Sequence, residues 1–156
     1  MSARAGTVVS IHTTATAGAP TASVGAVRAT PGRGLEGDRH YESEGTFSRK
    51  AGAGRDVTLI EIEAIEALKR DYGIDLPAGD ARRNIVTRGV PLNHLVGRDF
   101  LVGSVRLHGA YLCEPCSHLA RLTSEKASRA LVHRGGLRCD VLTEGVIRAG
   151  DTITVL

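Results

Sequence analysis

A chain of 156 residues with a formal net charge of +3 has the length of one ordinary domain and can bury a core without disulfide staples. Its 42% hydrophobic and 24% charged residues exclude a disordered polymer, and 3% aromatics with no tryptophan leave little from which to build base-stacking platforms, so no nucleic acid is expected as a partner. No signal-peptide h-region opens the sequence and no run reaches membrane-spanning length; with an odd count of three cysteines, a cytoplasmic protein with reduced thiols and no membrane partner is expected.

Thr7-Val8-Val9-Ser10-Ile11-His12 alternates and is β-branched, as is Ser23-Val24-Gly25-Ala26-Val27-Arg28, and a Gly/Ala/Pro turn separates the two. Both are predicted strands. Residues 31–56 are rich in Gly and charge and lack apolar periodicity, too long a stretch for a routine connection, which predicts a mobile or functional loop. Over 58–72 the pattern predicts a helix: Thr58 as cap with Glu61 three residues on, Glu63 and Glu66 early, Lys69 and Arg70 late, then Gly73. Leu59, Ile62, Ile65, Leu68 and Tyr72 would form its buried face, and its acidic residues a solvated one.

Residues 83–87 read as a strand, 91–97 as a tight or short helical turn, and 100–102 and 105–108 as strands joined at Gly103-Ser104, followed by another at 110–113. A short second helix is expected at about 124–132, before Gly135-Gly136. Strands at 139–142, 146–147 and 152–156 complete the chain. Many short strands with one good helix and no regular βαβ alternation predict a mainly β (α+β) fold, a partly closed β-barrel, as a single domain over 1–156.

The densest reactive grouping is Cys113-Glu114-Pro115-Cys116-Ser117-His118. Three chemistries compete for it. A structural zinc site would use Cys113, Cys116, His118 and Cys139, but Cys139 stands alone and His118 lies too close to Cys116 for common spacings. A dithiol redox centre would need a βαβ setting. The third is a single nucleophilic or metal-ligating thiolate at Cys116, with Pro115 stiffening its approach and basic neighbours favouring the thiolate. Cys113 and Cys139 sit among apolar residues and are expected to be buried small hydrophobes.

Three further groupings are polar. Gly34-Leu35-Glu36-Gly37-Asp38-Arg39-His40 offers an acceptor, an anion fork and a titratable ring on a glycine-rich backbone, without the setting of a phosphate loop. Arg82-Arg83-Asn84-Ile85-Val86-Thr87 alternates as a strand, so Arg83 points either to solvent or inward. His133-Arg134-Gly135-Gly136 is a basic turn able to wrap an anion, or simply a favourably charged helix end. Of the basic residues 17 are Arg and 3 are Lys; the guanidinium fork suits phosphate and carboxylate, although the ordinary place for any one of them is solvated surface.

Taken in order, Gly34-Leu35-Glu36-Gly37-Asp38-Arg39-His40, Thr58-Leu59-Ile60-Glu61, Arg82-Arg83-Asn84-Ile85-Val86-Thr87, Glu114-Pro115-Cys116 and the closing Gly145-Val146-Ile147-Arg148-Ala149-Gly150-Asp151 resemble the MOSC family, named for the C-terminal domain of molybdenum cofactor sulfurases. The likeness runs over 24–156. It implies a MOSC-type β-barrel and gives Cys116 the position of a cysteine proposed to carry sulfur or to ligate molybdenum, both suited to a soft thiolate. It implies the molybdenum cofactor (molybdopterin) as ligand, with Arg39, Arg83 and Arg134 as forks for its organophosphate tail, joined by Asp38, His40, Asn84 and Thr87 from the same motifs. No pyridoxal-phosphate desulfurase domain precedes the likeness and no iron–sulfur cysteine pattern follows it, so sulfur or electrons would come from a separate cysteine desulfurase or electron-donor reductase.

Three functions are compatible with that resemblance. Cys116 ligates the metal of a cofactor that reduces N-hydroxylated small molecules with partner-supplied electrons. Alternatively it holds a persulfide for transfer in cofactor sulfuration, or the domain binds and delivers the cofactor without catalysis.

Overall fold

A computed structural model describes residues 3–16, 19–38, 41, 54–113, 131 and 133–156. Eleven strands are formed by these residues: β1 Ala3–Thr13, β2 Ala22–Val24, β3 Ala26–Thr30, β4 Gly34–Leu35, β5 Val57–Glu61, β6 Ile85–Arg88, β7 Asp99–Val102, β8 Val105–Leu112, β9 Leu137–Val141, β10 Gly145–Arg148 and β11 Thr152–Val155. One helix, α1 Ile62–Tyr72, and two 3-10 turns at Ala78–Ala81 and Leu92–Leu95 are described with them.

The main sheet runs β11-β7-β8-β9-β5-β6-β1-β2, and a further pairing of β1 with β11 closes seven of its strands into a barrel. Closure depends on β1, which pairs β6 along one side and β11 then β2 along the other, with register shifts between Arg4 and Gly6 and between Val8 and Ser10. Such irregularities bend a strand and increase its twist, as a small barrel requires. Beside the barrel, β10, β3 and β4 make a three-stranded sheet. The barrel is therefore closed, not partly open.

Two cores share the strands. Leu59 and Ile85 belong to the larger cluster with Val8, Ile11, Phe100, Leu107, Leu137 and Ile153, whereas their neighbours Ile60 and Val86 belong to a second cluster with Ala64, Ile65, Leu68, Ala81 and Leu131. Alternation along β5 and β6 thus feeds one face to the barrel core and the other to α1. β5 and β6 are parallel, Leu59 opposite Ile85 and Glu61 opposite Thr87. The chain between them passes through α1, the expected role of a helix joining parallel strands.

Several expectations are corrected. Residues 58–61 are strand, and α1 starts at Ile62 with Glu61 as its N-cap and no side-chain capping bond. The run Val57-Thr58-Leu59-Ile60 has three β-branched residues and buries side chains on both faces, so pairing with β6 and β9 outweighs a helical phase that fits only from Ile62 onward. The predicted end holds: Gly73 is left-handed at φ 67°, its N–H donating to the Lys69 carbonyl at 3.1 Å while Ile74 N–H donates to that of Leu68 at 3.1 Å. Tyr72 is exposed, not buried. The segment 23–28 bends at Gly25 into two strands of different sheets, and the start of the 31–56 stretch is strand β4 paired with β3. The helix expected at 124–132 lies outside the described residues, apart from buried Leu131.

Candidate functional site

At the end of β5 the chain opens a cleft of about 250 Å³. Glu61 and Ala64 line it from the β5–α1 junction, Pro91, Asn93 and His94 from the 3-10 turn after β6, and His133, Arg134 and Gly136 from the turn before β9. Three segments distant in sequence therefore meet there.

Carboxylates of β5 and α1 hold the first two walls together. Glu61 Oε2 accepts from Leu92 N–H at 3.2 Å, Glu63 Oε2 accepts from Gly89 N–H at 2.8 Å, and Glu66 pairs with Arg88 at 3.0 Å. The expected solvated acidic face is instead the fastening of the 88–92 connection. Burial pushes the Glu61 carboxyl above its ordinary range; the Leu92 N–H opposes that, Glu63 adds to it, and Arg134 and His94 pull it back. Asn93 joins the other walls, donating through Nδ2 to the His133 carbonyl at 2.9 Å.

The third wall is tied to the end of β8. Cys113 N–H donates to the Gly136 carbonyl at 2.7 Å, Arg83 Nε donates to the Gly135 carbonyl at 2.7 Å, and the same guanidinium reaches the Cys113 carbonyl through Nη2 at 3.4 Å. Gly136 has φ 115°, and a Cβ there would run into the Leu59 carbonyl, so the wall approaches β5 as closely as only glycine allows.

Of the residues singled out in the sequence, Arg134 lines this cleft and is exposed. Arg83 is 8% exposed and bonded to the carbonyls just named. Asn84 joins three strands: its Oδ1 accepts from Thr58 N–H at 3.0 Å and from Thr58 Oγ1 at 3.2 Å, and its Nδ2 donates to the His12 carbonyl at 3.1 Å. Thr87 is buried, its hydroxyl 3.4 Å from the Ile60 carbonyl. Asp38 is buried, its Oδ1 accepting from Thr14 N–H at 3.0 Å. None of these four lines the cleft. Cys116, Arg39 and His40 lie outside the described residues.

Cys113 and Cys139 are both buried and not disulfide-bonded, as expected of small hydrophobes. Burial pushes the Cys139 thiol well above its ordinary pKa, with Asp140, Asp56 and Cys113 adding to the effect. A second hollow of about 440 Å³ lies beside Asp56, His108 and Asp140, but backbone N–H groups engage both carboxylates: Asp56 accepts from Val141 at 2.9 Å and Asp140 from Gly54 at 2.8 Å. Among the described residues no three His, Cys, Asp or Glu side chains gather as a metal site.

Glu61, Asn93 and His94 line the cleft although sequence reasoning placed them elsewhere or passed over them, whereas His133 comes from the basic turn singled out beforehand. The available signal was the position of Glu61 at the carboxyl end of a parallel strand, where α/β units place ligands, and it is invisible once 58–72 is taken as one helix.

A closed seven-stranded barrel with one β–α–β unit, opening a basic-walled cleft at the parallel strand's carboxyl end, is the architecture these residues define. The MOSC domain model matches residues 46–154, more than half of the chain, and the chain belongs to the MOSC domain family. Among solved structures it is similar to the YuaD protein of Bacillus subtilis, at 19% identity with a TM-score of 0.81, covering 99% of this chain and 96% of that one. It is similar also to YiiM of Geobacillus stearothermophilus, at 18% identity and TM-score 0.68 over 100% and 75% of the two chains. YiiM of Escherichia coli follows at 16% and 0.67 over 96% and 69%. At these identities the likeness is one of fold. No curated protein matches the chain.

Proposed function

We propose that this MOSC protein binds the molybdenum cofactor, with Cys116 as metal ligand and the cleft beside Arg134 receiving an anionic part of the ligand. The observation that carries the reading is the 2.7 Å bond from Cys113 N–H to the Gly136 carbonyl. It fixes a cleft-wall residue to the residue three positions before Cys116, and three residues of chain reach at most roughly 11 Å.

The walls suit an anion. Arg134 brings a permanent charge, His94 and His133 bring titratable ones, and the first turn of α1 borders the cleft through Ala64 with no side-chain cap. At about 250 Å³ the cleft is smaller than a typical whole-ligand site, which runs from about 300 Å³ upward, so it fits one end of a larger molecule. A thiolate is a suitable soft donor to molybdenum.

The cofactor would supply two-electron redox chemistry. The substrate class is an N-hydroxylated base or amidoxime, whose N–O bond is cleaved by two electrons from a partner reductase and two protons, releasing water. Arg134, His94 and His133 would orient and neutralise the ligand, and Arg83 would hold the two strand ends that flank the Cys116 segment. Asp38, Asn84 and Thr87 support the surrounding strands, while Arg39 and His40 would add contacts from the 31–56 stretch.

The test is purification from a host that makes the molybdenum cofactor, with molybdenum and pterin measured per chain for the wild type and Cys116→Ser. Near-stoichiometric metal and pterin in the wild type, with metal lost in the variant, is the expected result. A sulfane-sulfur adduct on Cys116 without metal would overturn it in favour of a persulfide carrier loaded by a cysteine desulfurase. Equal metal in both proteins would remove Cys116 from the coordination sphere and leave a delivery module.

A further inference from the structure

We infer that Glu61 makes the cleft a proton-coupled oxyanion site, taking a phosphate-, sulfate- or carboxylate-like group together with a proton and releasing it as that proton leaves. The inference rests on the anionic reading of the cleft above and not on molybdenum.

The cleft is built asymmetrically. Arg134, His94, His133 and the amide of Asn93 come from two walls, and the one carboxyl among the described lining residues is Glu61 from the third. Arg134 makes no ion pair or hydrogen bond through its side chain among the described residues, so its charge is available to a ligand. Glu61 is not tied to Arg134 or to either histidine; its one hydrogen bond accepts from Leu92 N–H through Oε2 at 3.2 Å. Among the described residues the Arg134 side chain therefore has no hydrogen-bonded or ion-paired partner, and Glu61 acts on it only through space.

An ionised Glu61 would confront an incoming oxyanion within the same cleft of about 250 Å³. A protonated Glu61 does the opposite, since its O–H becomes a donor while Oε2 continues to accept from Leu92. Its surroundings favour the proton. Partial burial of Glu61 raises its pKa, and Glu63, two residues on, adds a second carboxylate whose Oε1 is buried without a hydrogen-bond partner. The Leu92 N–H, Arg134 and His94 act the other way. Proton uptake and anion binding are then linked and must strengthen each other by the same factor.

Sequence chemistry alone could not have suggested this, because a glutamate in a helix of alternating charge is ordinarily solvated. The function it gives the site is release: an anion taken up at lower pH, or next to a proton-delivering reaction, is let go when Glu61 ionises.

Sulfate serves as the probe, because it does not itself titrate in the working range. Its dissociation constant is measured by calorimetry between pH 5 and 8 for the full-length wild type, Glu61→Gln and Arg134→Gln, each freed of bound cofactor and checked for folding by thermal denaturation. Glutamine keeps an oxygen for the Leu92 N–H and a donor for the anion but cannot ionise. The advantage of Glu61→Gln over the wild type should grow from pH 5 to pH 8, reaching about fivefold tighter binding at pH 8, the size expected from removing one like charge in a water-exposed cleft. Arg134→Gln should lose binding at every pH. Identical pH profiles for wild type and Glu61→Gln would overturn the inference, as would weaker binding by Glu61→Gln at pH 8, which would mean that the ionised carboxylate pairs with a donor on the ligand. Failure of sulfate to bind any folded form would overturn it too. Repeating the wild-type titration on cofactor-loaded protein separates the sources: sulfate excluded by the cofactor marks the cleft as the seat of its anionic end, and sulfate still bound marks a site for a free oxyanion. Loss of metal ligation by Cys116 would leave all the cofactor-free titrations unchanged.

Discussion

Arg83 donates through Nε to the Gly135 carbonyl at 2.7 Å, 52 residues further along the chain. Through Nη2 it also reaches the Cys113 carbonyl at 3.4 Å, so one buried guanidinium gathers the residue after β8 and the turn before β9. Arg83→Met would leave both carbonyls without this donor in a site closed to water. A hydrogen bond from a charged donor contributes about 1.5–3 kcal/mol, and the second, longer one adds less, so a loss of roughly 2–4 kcal/mol is expected in urea denaturation. Arg88→Met removes only an exposed pair with Glu66, for which about 1 kcal/mol or less is expected. Equal losses in the two variants would show that the Arg83 bonds do not hold the fold.

Asn84 gives a second test. Asn84→Asp preserves shape and the acceptor to Thr58 but replaces the Nδ2 donor, which faces the His12 carbonyl at 3.1 Å, with an oxygen. Two acceptors then meet in a buried place, and roughly 2–3 kcal/mol of stability should be lost. Amide hydrogen exchange should accelerate first at His12 and Thr58, whose strands meet only through β6.

The strands were legible where one face is buried and the other is not: those expected at 100–102 and 105–108 pair around Gly103-Ser104, although the second runs on into the stretch expected as a separate strand at 110–113 to make one strand, Val105–Leu112. β5 was not, because Leu59 faces the barrel core and Ile60 faces α1, and burial on both sides erases the period of two that marks a strand. The error carried Glu61 with it. Placed in helical phase it belongs to a solvated stripe; placed at the end of β5 it faces a cleft. The turn carrying Arg134 was legible as basic and Gly-rich, a pattern that serves a charged helix end equally well, whereas Asn84 and Arg83 have polarity that the sequence shows and partners, 26 to 72 residues away, that it does not. The closing of β11 onto β1 joins the two ends of the chain and depends on register shifts that no local pattern records.

Thiol chemistry should discriminate among the three cysteines. Cys139 and Cys113 are buried, and burial pushes the Cys139 thiol well above its ordinary pKa, so at pH 8 neither should be alkylated while the protein is folded. Peptide mass spectrometry after iodoacetamide treatment should find the label on Cys116 alone in native protein and on all three thiols in denaturant. Native labelling of Cys139 at a rate comparable with Cys116 would contradict the packing of β9.

Stability should also fall as the medium becomes mildly acidic, and His12 is the residue to test. Its side chain is nearly buried beside Ser10, hydrogen-bonded with Oγ at 2.8 Å, and burial lowers its pKa below the ordinary value of 6.5. The folded state therefore holds the ring neutral, while the unfolded chain takes up a proton as pH drops through about 6.5. Above about pH 7.5 the ring is neutral in both states and contributes nothing; from there downward the unfolded state binds more protons and stability declines, until pH passes the lowered folded value. His12→Gln retains a hydrogen-bonding partner for Ser10 and removes the titration. Urea denaturation at pH 7.5, 6.5 and 5.5 should show the wild type losing stability relative to His12→Gln across this window. Parallel pH dependences in the two proteins would place the acid sensitivity in other groups.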